Sequence, residues 1–117
     1  MKSYRDLIVW QKSVNMVTLV YKLLNDFPND EKFGLASQIK RSSVSISSNI
    51  AEGYGRNYTK DYARFLQISR GSLFEMQTQL QIAVNLNFII EDDLKEIKSL
   101  SMEIEKMLNV LIKKLLN

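Results

Sequence analysis

The sequence of 117 residues contains no cysteine and no histidine. Without cysteine, the chain forms no disulfide and has no thiolate nucleophile. Without histidine, it lacks the usual general base at neutral pH and the commonest metal ligand in proteins. A zinc site of cysteine and histidine ligands is excluded, and so is the Glu-x-x-His motif of di-iron helical bundles. We therefore expect neither a metal site nor a cofactor.

Proline, glycine and long apolar runs are also scarce. One proline and four glycines argue against a disordered chain and against a β fold with many turns. No apolar run approaches the ~18 residues that a membrane-spanning helix needs, and the N-terminal segment has no signal-peptide core. We expect one domain, residues 1–117, with one hydrophobic core, a cytoplasmic location and no membrane partner.

Apolar residues recur at steps of three and four along four segments of the chain, which is typical of amphipathic helices. The first segment ends before Pro28, which cannot continue a helix. The last begins with acidic residues and ends with Lys113 and Lys114, as the helix dipole favours. The predicted helices span about 6–26, 30–54, 59–86 and 91–116. Short links between them predict an all-α fold, an up-down-up-down four-helix bundle.

The second segment is unusual because it is rich in serine. A strand-like alternation covers only residues 44–47, whereas the stripe through Leu35, Ile39, Ile46 and Ile50 has helical spacing throughout. We therefore predict a helix whose small side chains let its neighbours approach closely.

Three glycines have predicted roles in these helices. Gly53 and Gly55 are expected to end the second helix in the left-handed conformation. Gly71 lies inside the third helix, where glycine costs about 1 kcal/mol relative to alanine. We expect that Gly71 is kept because another helix packs closely against it.

Polar residues form a line along the second helix and continue on the third. Buried charges need partners, and Arg41–Glu75 and Glu52–Arg64 contacts are geometrically reasonable. We interpret the line as a structural polar network that fixes helix register or an oligomer contact. Its candidate members are Gln38, Arg41, Asn49, Glu52 and Glu75. The alternative is acid–base catalysis by Glu52 and Glu75, but no nucleophile, metal set or phosphate loop accompanies them. We predict no catalytic residues and no enzyme.

Positive charge is concentrated in the middle of the chain. The net charge is +3, and residues 32–70 contain only Glu52 and Asp61 as acids. A local basic field attracts phosphates. The candidate nucleic-acid-binding residues are Lys40, Arg41, Arg56, Lys60, Arg64 and Arg70. Tyr54 and Tyr58 can stack on bases, although tyrosines that pack a loop over the end of the bundle would give the same pattern.

Three stretches carry a recognisable pattern: DLIVWQKS (6–13), FPNDEKFGLASQIKRSSVSISSNIAEGYGR (27–56) and FLQISRGSLFEMQTQL (65–80). Together they resemble the bacterial four-helix bundle family of 23S rRNA-intervening sequence proteins. The most specific parts are QIKR followed by SI-x-x-NIAEG in the second helix, and GS-x-x-E in the third. The resemblance covers nearly the whole chain, although the last helix matches only in its amphipathic character.

The resemblance implies a bundle that assembles into a ring, typically a homopentamer. The family is similar to the accessory proteins of diversity-generating retroelements, which form pentameric barrels that bind nucleic acid and a reverse transcriptase. Some members are encoded inside insertions in ribosomal RNA genes, and members have no established catalytic activity. A ring also agrees with a second apolar stripe on the first helix, which we expect to be an exposed interface. This stripe comprises Met16, Val20, Leu23 and Phe27.

These observations lead to one functional prediction and one alternative. We expect a non-enzymatic, oligomeric helical bundle that binds nucleic acid through repeated Lys and Arg contacts to phosphate. RNA is the nucleic acid that we expect, with DNA as the other possibility. The alternative is a protein-binding or structural adaptor with no nucleic-acid role. If the basic side chains are paired in salt bridges, the adaptor function is favoured. If they form a continuous basic surface, nucleic-acid binding is favoured.

Overall fold

The computed structural model describes residues 2–117, and this part of the chain is helical without any strand. The four helices are α1 (Ile8–Leu24), α2 (Leu35–Tyr54), α3 (Thr59–Asn85) and α4 (Lys95–Leu116). Each helix packs against two others, in the order α1, α2, α3, α4 around one core, in a body of 43 × 24 × 22 Å. The prediction of an all-helical protein with four helices is confirmed.

The core is built from the apolar stripe of each helix. Its fully buried members include Met16, Val20, Ile39, Ile46, Ile50, Leu66, Leu73, Met76, Ile104 and Leu108. The second stripe of α1 also lies in this core, since Met16 and Val20 are completely buried and Leu23 and Phe27 nearly so. The prediction of an exposed interface on α1 is therefore wrong. A helix in a four-helix bundle has two neighbours, so it needs two apolar stripes.

The connections at one end of the bundle are more ordered than a simple loop. Residues Asn29–Glu31 form a 3₁₀ turn after Pro28, so α2 begins at Leu35 and not near residue 30. The Glu31 carboxylate accepts a hydrogen bond from the Leu35 N–H at 3.2 Å, which satisfies one free donor of the helix start. A second 3₁₀ turn, Glu91–Leu94, likewise precedes α4.

The end of α3 is set by Asn87. This residue adopts φ 63°, in the left-handed region. The Phe88 N–H donates to the Ala83 carbonyl and the Asn87 N–H to the Val84 carbonyl, both at 2.9 Å, which is the Schellman arrangement. The reversal places Phe88 against Phe27, with ring centroids 5.7 Å apart. The α1–α2 and α3–α4 connections therefore contact each other at the same end of the bundle.

The glycines of α2 and α3 have roles different from those predicted. Gly53 lies inside α2, and none of the four glycines has a positive φ. A Cβ at Gly53 would lie 2.8 Å from Cβ of Phe65 and 3.1 Å from Cδ1 of Tyr62, so glycine is needed for close packing of α3. A Cβ at Gly71 would meet no atom within 4 Å beyond its own stretch of helix. The expected close approach of another helix of this chain to Gly71 is therefore wrong.

Candidate nucleic-acid interface

Hydroxyl groups join α2 to α3 along their shared interface. Three hydrogen bonds cross it: Ser42 donates to Oε1 of Gln79 at 2.8 Å, Ser69 donates to the Ile46 carbonyl at 2.8 Å, and Ser45 and Ser72 share one at 2.9 Å. In residues 2–117 no buried side-chain nitrogen or oxygen lacks a partner. Small polar side chains thus let the two helices pack closely while every buried polar atom stays paired.

Replacing Ser42 by alanine is expected to lower the free energy of unfolding by about 1–2 kcal/mol, because Oε1 of the nearly buried Gln79 then loses its donor. Urea denaturation followed by circular dichroism measures the change. Ser48→Ala is the matched control, since Ser48 lies on the exposed face of the same helix. Equal stability of the two variants would show that the Ser42–Gln79 contact contributes nothing.

The candidates for a polar network lie in two places. Gln38, Arg41 and Glu75 line one shallow depression on the outer surface between α2 and α3. Arg41 and Glu75 are both exposed, and no ion pair joins them within 4.0 Å. Asn49 lies beside this depression, where its side-chain amide donates to the carbonyl and the hydroxyl of Ser45 at 2.8 and 2.9 Å.

Glu52 is separated from the other network candidates. Its carboxylate lies 3.8 Å from the guanidinium of Arg56, one turn further along, and both side chains are about half exposed. Such exposed pairs contribute little to stability. The predicted contact with Arg64 is not formed within 4.0 Å in the described chain. Glu52 and Glu75 thus lie apart, Glu52 beside Arg56 and Glu75 in the depression.

The clearest cluster of positive charge lies where α2 turns into α3. The guanidinium carbons of Arg56 and Arg64 lie 4.5 and 4.8 Å from the ring centroid of Phe65, which is itself buried. Stacking on an aromatic ring holds a guanidinium in place by cation–π attraction while its N–H groups stay available to an oxyanion. Both arginines are therefore positioned before any ligand arrives.

Tyrosines and a lysine complete this surface. Tyr58 precedes the first turn of α3 and is 73% exposed, and Lys60 is exposed in that turn. Tyr54 packs edge-on against Tyr62 at 6.2 Å. Burial, and secondarily Tyr54, raises the pKa of the Tyr62 phenol, so this phenol stays neutral at neutral pH. Of the three tyrosines at this end of the described chain, Tyr58 is the one whose ring is exposed enough to stack on a base. We call Arg56, Tyr58, Lys60 and Arg64 the basic end.

The other predicted cations lie elsewhere on the bundle. Lys40 is half-buried, with its ammonium 5.3 Å from the ring of Tyr21 in α1. Arg70 donates to the side-chain carbonyl of Asn109 in α4 at 2.8 Å. Arg41 lies in the depression between α2 and α3. The structure therefore brings together Arg56, Lys60 and Arg64 but places the remaining three candidates on three different sides.

Salt bridges occupy few of these groups. The described residues contain three ion pairs, Lys12–Glu103, Arg56–Glu52 and Lys98–Glu91. Among the six predicted phosphate-binding residues, only Arg56 takes part, and at 3.8 Å. The basic end therefore keeps its charge available to an external anion.

The fold and this surface define a class: a small antiparallel helical bundle with a preorganised cationic and aromatic end. In residues 2–117 no group of three or more acidic side chains is placed to hold a metal ion. No helix in this part of the chain combines the length and apolar character needed to cross a membrane.

Comparison with known proteins identifies the family. The chain belongs to the 23S rRNA-intervening sequence protein family, whose profile matches residues 5–110. It is similar to a crystal structure of a protein of unknown function from the S23 ribosomal protein family of Bacteroides thetaiotaomicron. The two share 28% sequence identity with a TM-score of 0.83, over 91% of this chain and 99% of the other. No curated protein sequence matches the chain.

Proposed function

We propose that this chain is a non-enzymatic nucleic-acid-binding protein that contacts RNA at the basic end. The observation that carries the proposal is the stacking of Arg56 and Arg64 on Phe65, at 4.5 and 4.8 Å. Planar guanidinium groups bind phosphate oxygens with two parallel hydrogen bonds, so two fixed guanidinium groups suit a phosphodiester backbone. Lys60 adds a third cation. The name of the family refers to 23S rRNA, which supports RNA as the nucleic acid.

Single-stranded or looped RNA suits this surface better than a duplex. Tyr58 is largely exposed beside the cations, and an exposed aromatic ring stacks on an unpaired base. A base inside a duplex is already stacked on its neighbours and leaves no such face. In this proposal the arginines bind consecutive phosphates while Tyr58 takes one splayed base, with little preference for its identity.

RNA binding at the basic end is expected to be strongly salt-dependent. Three phosphate contacts on a single strand give a slope of about −2 for log K against log salt, so affinity falls about twentyfold between 50 and 200 mM salt. Fluorescence anisotropy of a labelled single-stranded RNA, titrated with the protein at several salt concentrations, measures the slope. Absence of binding even at 50 mM salt would refute the proposed function.

We also propose that the chain assembles with copies of itself, as the homopentameric ring that its family resemblance implies. Several large apolar side chains are more than half exposed, among them Phe33, Ile90, Met102 and Val110, and they offer apolar surface that another copy could cover. A ring repeats the basic end in each copy and so raises avidity for one long polyanion. The same apolar side chains also fit an adaptor that docks another polypeptide, which is the alternative if RNA does not bind.

A further inference from the structure

The depression between α2 and α3 contains a hydrogen-bond donor that no other group of the described chain uses. The side chain of Gln79 lines this depression although the residue is only 8% exposed. Its Oε1 accepts the hydrogen bond from Ser42 at 2.8 Å, whereas its Nε2 makes no hydrogen bond within residues 2–117. Because every buried side-chain nitrogen and oxygen in those residues has a partner, Nε2 must be open to the depression. Ser42 therefore holds the amide so that its N–H groups are available to a ligand.

Two side chains of opposite charge flank this donor without pairing. Arg41 on α2 and Glu75 on α3 both line the depression, and both are exposed. Neither takes part in any of the three ion pairs of the described residues. The depression has a volume of about 430 Å³, in the range of sites that accept small ligands. It thus presents one group that only donates and one that only accepts hydrogen bonds, with room for a ring between them.

The depression lies on the same face of the α2–α3 pair as the basic end. Glu75 follows Arg64 by eleven residues on α3, which is three helical turns, so the two side chains lie within about 20° of each other around the helix axis. On α2, Arg41 precedes Glu52 by the same interval, and Glu52 is the partner of Arg56. This interval is about 17 Å long. At the rise of about 3.4 Å per nucleotide of a stacked strand, about five nucleotides connect the basic end to the depression.

Guanine is the base whose edge matches the groups of the depression. Along one side of its ring system it carries two neighbouring donors, N1–H and the N2 amino group, followed by two neighbouring acceptors, O6 and N7. A carboxylate accepts from the donor pair with its two oxygens, and a guanidinium donates to the acceptor pair, which is the commonest specific contact to a base. Adenine, cytosine and uracil lack the donor pair. In single-stranded RNA these edges are free, and proteins read sequence from them.

We propose that the depression binds an unpaired guanine of the RNA strand whose phosphates lie at the basic end. Glu75 accepts from N1–H and the N2 amino group, Arg41 donates to O6 and N7, and Nε2 of Gln79 donates to O6. The proposal rests on the proposed RNA binding and adds to it a base preference that phosphate contacts do not supply. Contacts to phosphate position a strand, and contacts to bases specify its sequence.

Two labelled RNA strands that differ in one atom group test the guanine site by fluorescence anisotropy. Both are oligouridylates long enough to reach from the basic end to the depression, with one central guanine in the first and inosine in the second. Inosine is guanine without the N2 amino group, so it loses one contact to Glu75 and keeps O6 and N7. Wild type is expected to bind the guanine strand about tenfold more tightly, the discrimination typical of one bidentate contact to a base.

The variant that removes this discrimination is Glu75→Gln. An amide has a single acceptor oxygen, which the N1–H of either base occupies, so the tenfold preference for guanine is expected to vanish. Glu96→Gln is the matched control, because Glu96 is exposed on α4 and forms no ion pair among the described residues. It removes the same charge away from the depression and should keep the preference. The ratio of the two affinities within one variant cancels the effect of its net charge and of its folded fraction.

The outcomes separate this inference from the proposed function. A wild type that binds neither strand at low salt would refute the proposed function and the guanine site with it. Equal binding of both strands by wild type would overturn the guanine site and leave RNA binding at the basic end standing. A preference for guanine that persists in Glu75→Gln, or that is lost in Glu96→Gln as well, would also overturn the site, because the depression would then not be what reads the base.

Discussion

Replacing Arg56 and Arg64 together by glutamine is expected to lower the proposed affinity for single-stranded RNA by about a hundredfold, because each charged hydrogen bond to phosphate contributes at least about 1.5 kcal/mol. The slope of log K against log salt becomes less negative by about 1.4, since two fewer counterions are released per bound chain. Both guanidinium groups lie within 5 Å of the Phe65 centroid, so the loss should come from one surface.

The control for this variant removes the same charge from the other end of the bundle. Lys22 and Lys95 are exposed at the end that carries the α1–α2 and α3–α4 connections. Their joint replacement by glutamine lowers the net charge equally but leaves the basic end intact. Anisotropy titrations of both variants with one RNA measure the difference. Equal losses would mean that RNA responds only to net charge, and the assignment of the basic end would then be wrong.

Replacing Gly53 by alanine destabilises the fold by about 1–3 kcal/mol, the usual cost of overpacking a well-filled interface. The new methyl group would lie 2.8 Å from Cβ of Phe65, an atom fixed to the backbone, so α2 and α3 have to move apart. Gly71→Ala is expected to change the free energy of unfolding in the opposite direction. Its methyl group meets nothing within 4 Å, and the fold gains up to about 1 kcal/mol of helix propensity.

The test is whether one glycine variant is less stable than the wild type and the other more stable. Urea denaturation of wild type, Gly53→Ala and Gly71→Ala under the same conditions gives three midpoints, with wild type in the middle. If Gly53→Ala were as stable as Gly71→Ala, α2 and α3 would not be in close contact near their turn. A destabilised Gly71→Ala would instead indicate that the outer face of α3 packs against another copy of the chain.

Much of the fold follows from the sequence because apolar periodicity is a local signal. Ile39, Ile46 and Ile50 mark the buried face of α2 despite its many serines, and all three are completely buried. Helix starts are less predictable, since they depend on side-chain contacts across a turn. Residues near Glu31 have the acidic character of a first helical turn, yet the Glu31 carboxylate caps Leu35 from outside the helix.

The roles of the two glycines could be separated only by their positions around the helix axis. Glycine is a weak helix former in both helices, and that property does not tell which face it occupies. In the structure Gly53 points toward α3 and Gly71 away from every neighbouring helix. Likewise, the second stripe of α1 is apolar whether it faces the core or another molecule, and only the structure shows that it is buried in the core.

The candidate site was only partly predictable for the same reason. Adjacent residues on a helix point about 100° apart, so Lys40 reaches Tyr21 of α1 while Arg41 faces the depression beside α3. Sequence proximity therefore grouped cations that the fold separates. The role of Phe65 was missed, because its contact with Arg56 depends on how α2 and α3 meet. The only local signal was the neighbouring pair Arg64 and Phe65.

The two ends of the bundle are closed in different ways, and this has a consequence for recognition. At one end, Phe27 against Phe88 joins two interhelical connections. At the other, a single short connection through residues 55–58 is exposed along its length. The connection itself is therefore open to solvent, while Arg56 and Arg64 are held against Phe65 beside it. In the proposed complex an RNA loop would have to fit two arginines that are already in position, so the shape of the RNA backbone would decide which loops bind.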